Sequence, residues 1–85
     1  MNLNKQNLIN KIKYRSQYRG TKEMDKFVNS FVNNIINELN FEQLKQLSTL
    51  VNLNDEEIIK ISNGKNKFGI NKKIITLLID FKNKY

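Results

Sequence analysis

No cysteine, histidine, proline or tryptophan occurs in this chain of 85 residues, and glycine occurs only three times. Without cysteine there are no disulfides and no thiolate metal sites, and without histidine the commonest metal ligand and general base is missing. Few catalytic chemistries survive that inventory, so the chain is expected not to be an enzyme, with no catalytic residues and no metal. The lack of proline and near-lack of glycine removes the punctuation of a β-sandwich or barrel. Long apolar runs are missing too. The longest, Ile74 to Ile79, is far shorter than the roughly 20 residues that span a bilayer. A soluble protein of a reducing compartment is expected, in the cytoplasm or, in a eukaryotic host, the mitochondrial matrix, with no membrane insertion.

What is present is leucine, isoleucine, asparagine, lysine and glutamate, on a length that suits one domain, residues 1–85, with one core. The net charge is +7. Positive charge collects in Lys5 to Lys26 and Lys60 to Lys84, while the middle holds Glu38, Glu42, Asp55, Glu56 and Glu57 against Lys45 alone. Such a balance points either to an anionic partner or to a solvated helical surface. The first 22 residues carry no acid. They superficially resemble a transit peptide, but they are poor in serine and run straight into the most informative segment, so they are read as part of the domain.

The fold class is all-α, a single small five-helix bundle. Leu8, Ile9 and Ile12 form a narrow stripe on a first helix of roughly residues 4 to 18, which Gly20 ends. A left-handed Gly20 at a point of close backbone approach is expected. Met24, Phe27, Val28, Phe31, Val32, Ile35, Ile36 and Leu39 alternate steps of three and one, the pattern of the helix that forms the spine of the core. Thr21 is its N-cap, and Glu23 and Asp25 sit where the helix dipole favours negative charge. The third helix starts after Asn40, with Gln43 in a capping box and Leu39 and Leu44 as a hydrophobic staple; the fourth repeats this with Asn54, Glu57, Leu53 and Ile58, and Gly64 closes it. After a basic loop, Lys65 to Lys67, the last helix carries Ile70, Ile74, Leu77, Leu78, Phe81 and Tyr85.

The segment Tyr14-Arg15-Ser16-Gln17-Tyr18-Arg19-Gly20-Thr21-Lys22-Glu23-Met24-Asp25 crosses the junction of the first two helices. Capping chemistry accounts for Gly20 and Thr21. It accounts poorly for Arg19, since a cation at a helix C-terminus is favourable by only about 0.3 to 1 kcal/mol and lysine would serve as well. Lys11, Arg15 and Arg19, four apart, form one basic row. Glu23 lies away from the Met24/Phe27/Phe31 stripe and should face solvent. Tyr14 and Tyr18 lie roughly opposite Leu8, Ile9 and Ile12, where they either join an exposed protein-binding surface or pack on the last helix.

This segment resembles the signature of the SdhE family, called succinate dehydrogenase assembly factor 2 in mitochondria, whose hallmark is Arg-Gly-x-x-Glu after a Tyr-Arg-Ser-like approach. Arg19, Gly20 and Glu23 match it in order. The likeness extends to a long apolar second helix, an acidic turn before a short fourth helix, and the Leu77, Leu78, Phe81 ending. It departs at Thr21, Tyr18 and Ile61. The resemblance implies an assembly factor that binds the flavoprotein subunit of succinate dehydrogenase, and often that of fumarate reductase, and promotes covalent attachment of FAD. It also implies that Arg19, Gly20 and Glu23, with Arg15, Tyr14, Tyr18 and Asp25 beside them, make the partner-binding surface. FAD belongs to the partner and is not bound stably here; a monomer is expected when the protein is free.

The rival class is a small basic helical nucleic-acid-binding protein. No recognition-helix pattern, RNP-type motif or zinc-finger spacing supports it, and Glu23 and Asp25 sit inside the best basic patch. No nucleic-acid partner is expected.

Overall fold

Helix-forming residues and good caps recur along the whole chain, and the computed structural model shows what they build. It describes residues 3–17, 20–65 and 69–85. Among them are α1 (Leu3–Gln17), α2 (Lys22–Ile35), α3 (Phe41–Val51), α4 (Asp55–Ser62) and α5 (Lys72–Lys84), with a 3-10 turn at Ile36–Glu38 and no strand. The all-α five-helix expectation holds. No helix among the described residues is long and apolar enough to cross a membrane.

The caps form as their chemistry dictates. Thr21 Oγ1 accepts the Met24 amide at 3.1 Å. Asn40 and Gln43 exchange bonds of 2.8 and 3.0 Å, and Asn54 and Glu57 do the same. Each box satisfies two amides that the first helical turn leaves orphaned. Gly64, at φ +91°, ends α4 in a Schellman arrangement, with the Lys65 amide on the Lys60 carbonyl and the Gly64 amide on that of Ile61.

The second helix does not run as one α-helix through Leu39. Its last turn tightens into the 3-10 segment, and in that geometry residues three apart face the same way. Ile36 and Leu39 are both buried in consequence. The other difference is at the last helix, which begins at Lys72 with Asn71 as its N-cap. Ile70 is buried before the helix starts. The Asn71 amide donates to Gln46 Oε1 at 2.9 Å, which ties the start of α5 to α3.

Helix α3 lies centrally, with Leu44, Leu47, Leu50 and Val51 buried, touching α1 on one side and α5 on another. Helix α1 also packs on α2, and α4 on α5. Buried Ile12, Phe31, Ile58 and Ile74 carry the core into the remaining helices. Each such side chain is worth about 1.5 to 3 kcal/mol of burial, which is how short helices with marginal intrinsic stability are held. Ser16 is fully buried with them, its hydroxyl donating to the Lys13 carbonyl at 2.8 Å and lying 3.2 Å from Asn29 Oδ1 of α2.

Candidate functional site

The first turn of α2 presents Glu23 outward. It is exposed, and no hydrogen bond or ion pair to its carboxylate occurs among the described residues. Asp25, two residues on, is half-buried beside Gln17, Lys22, Lys26 and Asn29, and its amide donates to the Thr21 carbonyl at 2.9 Å. On α1, Tyr14 is 63% exposed. The aromatic cluster at the end of α5 is made instead by Phe27, Phe31, Phe81 and Tyr85, with ring centroids 5.3 to 5.8 Å apart. Tyr18 and Arg19 lie outside the described residues.

Gly20 differs from its expected geometry. The positive-φ glycines among the described residues are Gly64 and Gly69. Gly20 is therefore not kept as glycine by a left-handed backbone. A side chain there would instead run short of room: a Cβ would come within 3.0 Å of Asp55 Oδ2. That same oxygen accepts the Gly20 amide at 3.1 Å. Close approach is the other standing reason for glycine, and here the approaching group is a side-chain carboxylate from the first residue of α4.

The basic row on α1 is partly committed. Arg15 Nε donates to Asn52 Oδ1 at 3.0 Å, across to the residue that caps the end of α3. Lys11 faces a groove it shares with Asn4, Asn7, Leu8, Phe41 and Lys45. Lys11 and Arg15 thus lie along the edge of α3.

Two residues in this neighbourhood, Asn52 and Asp55, were not among the site residues expected from the sequence. They pair with residues 37 and 35 positions away, and no local periodicity announces such a pairing. The available signal was the acidic turn ahead of α4, which marked the segment without naming its target.

The site so described has an exposed carboxylate, a glycine closely approached by another helix, an exposed tyrosine and an arginine anchored through one of its nitrogens. An exposed carboxylate and an exposed aromatic ring suit contact with a protein surface. A comparison with known families places residues 10–82 of the 85 in the family described as "Flavinator of succinate dehydrogenase". No curated protein and no solved structure matches the chain.

Proposed function

The chain belongs to the family of flavinators of succinate dehydrogenase, and from that premise we propose that it docks on the flavoprotein subunit through the α1–α2 junction. Its function is that of an assembly factor for covalent attachment of FAD to succinate dehydrogenase. The match over residues 10–82 carries this reading, since the Arg-Gly-x-x-Glu segment lies inside it.

Arg19, Gly20 and Glu23 dock, with Arg15, Tyr14, Tyr18 and Asp25 around them. The factor acts by positioning: it holds the domains of the flavoprotein so that flavin and acceptor side chain meet in a productive arrangement. The bond itself forms on the partner. This chain has neither histidine nor cysteine, the usual acceptors for covalent flavin, so FAD is the partner's cofactor throughout. Gly20 allows close approach, Arg19 pairs with a carboxylate or carbonyl of the partner, and Glu23 accepts from a donor there. By the same resemblance the flavoprotein of fumarate reductase is a second client, and the free protein is a monomer.

Co-expression with the cognate flavoprotein tests the proposal. The fraction of that subunit showing acid-stable, in-gel flavin fluorescence should rise when this chain is present. An unchanged fraction, with flavoprotein and FAD both plentiful, counts decisively against it.

Glu23→Gln separates docking from capping. Easing the dipole of α2 is worth only about 0.3 to 1 kcal/mol, so the fold should be nearly unaffected. A charge-assisted hydrogen bond to the partner is worth roughly 1.5 to 3 kcal/mol, or about a tenfold to hundredfold loss of affinity. Thermal denaturation of the free mutant and its titration against purified flavoprotein read both quantities on one preparation. Wild-type binding with a lowered melting temperature would leave Glu23 a structural residue.

A further inference from the structure

We infer that Asp55 is a positioning residue: from the start of α4 it holds the α1–α2 junction in the posture that docks on the flavoprotein. The inference rests on the docking proposal and adds to it a residue outside the Arg-Gly-x-x-Glu segment.

Three observations carry it. The Gly20 amide donates to Asp55 Oδ2 at 3.1 Å, bridging 35 residues of sequence. The absence of a Cβ at position 20 is what permits that approach, since one would lie 3.0 Å from the same oxygen. Asp55 is also well anchored. It follows directly on Asn54, whose capping box with Glu57 fixes the first turn of α4, and α4 packs on α5. The acceptor is thus presented from the capped first turn of a helix to the Gly20 amide just ahead of α2.

A second bond comes from the same corner. Asn52 Oδ1 accepts from Arg15 Nε at 3.0 Å in the last turn of α1. The α3–α4 corner therefore grips the chain at Arg15 and again at Gly20, on either side of residues 16–19. Holding Gly20 in place before the partner arrives lowers the entropy lost on docking, which is how a group that need not touch the partner raises affinity.

Asp55 has a second role available to it, since a carboxylate in the first turn of α4 also favours that helix through its dipole. Two variants separate the roles. Asp55→Ala removes both acceptor and charge, whereas Asp55→Asn removes the charge and keeps an oxygen that can accept from Gly20. Hydrogen exchange of the Gly20 amide, melting temperature and titration against purified flavoprotein are measured on both. Asp55→Ala should speed Gly20 exchange and weaken flavoprotein binding by about tenfold each, and Asp55→Asn should restore both to within about threefold of wild type. Both variants should lose the dipole contribution to melting temperature alike.

The inference is overturned if Asp55→Ala leaves either Gly20 exchange or flavoprotein affinity at the wild-type value, or if Asp55→Asn is as defective as Asp55→Ala. Should Asp55→Ala prove too unstable to titrate, Asp55→Glu takes its place: it keeps the charge and displaces the acceptor by one methylene, and must show the same paired defects. A wild-type protein that captures no flavoprotein sinks the docking proposal and this inference together. Equal binding by wild type and Asp55→Ala sinks this inference alone.

Discussion

Gly20→Arg is expected to abolish capture of the flavoprotein, an affinity loss of at least about a hundredfold, while the free protein stays folded. The first side-chain atom would meet Asp55 Oδ2 at 3.0 Å. Relief is cheap for the fold, because that oxygen ends a short side chain that can swing away and the Gly20 backbone is not in a region restricted to glycine. Relief is costly for the junction. Moving the carboxylate breaks its bond to the Gly20 amide, and the new guanidinium competes for the same oxygen, since bidentate pairing with a carboxylate is the stronger bond. The rest of the long side chain then projects where a partner must approach, and a built-in clash discriminates more sharply than a lost contact. Titration against purified flavoprotein, with circular dichroism of the free mutant, checks both halves. Gly20→Ala should fall between the two, because it brings the first contact without the bulk. Affinity of Gly20→Arg within about threefold of wild type would remove Gly20 from the docking face, and an unfolded mutant would make its glycine a requirement of the fold.

Phe31→Ala is expected to produce the largest loss of stability, about 3 to 5 kcal/mol, as a buried aromatic side chain is replaced by a cavity that its neighbours fill only in part. Phe31 is 1% exposed. Its ring centroid lies 5.6 Å from that of Phe81, so the substitution also removes a ring pair between α2 and α5, worth about 0.5 to 1.5 kcal/mol beyond area burial. A domain of this size has a total stability of only about 5 to 15 kcal/mol, so the mutant should lie close to its unfolding midpoint at physiological temperature. Urea denaturation of wild type and mutant measures the difference. A loss below about 1 kcal/mol would mean that the α2–α5 contact is not part of the cooperative core. Flavoprotein binding below the melting temperature should be affected less than stability, which is the reverse of the Gly20→Arg pattern.

The two predictions fall on different sides of what was legible in the chain. Phe31 stands in the apolar stripe from Met24 to Leu39, and a side chain recurring at helical spacing among seven others is core on any packing of the helices. The N-caps at Thr21, Asn40 and Asn54 were equally legible, since a capping box needs only partners three residues apart and these form at 2.8 to 3.1 Å. The reason for Gly20 was not. From sequence, a glycine at the end of a helix is expected to be left-handed, as Gly64 is. Gly20 follows the other rule, and only the carboxylate brought in from α4 reveals it. The start of α5 was misplaced for a related reason: Ile70 fits the apolar spacing of that helix, and burial alone does not say whether the backbone beneath it is helical.

What the sequence by itself determined is everything that depends on near neighbours: helix identity, caps, the buried face of each helix, and the absence of histidine and cysteine. Tertiary structure alone decided which helix ends meet. Asn52 and Asp55 reach Arg15 and Gly20 across more than thirty residues. The energy that brings them together comes from apolar burial between the helices, such as that of Ile12 in α1 and of Leu50 and Val51 in α3. Hydrophobic burial is non-directional, so an apolar pattern says that helices will pack without saying which polar groups their packing brings within bonding distance.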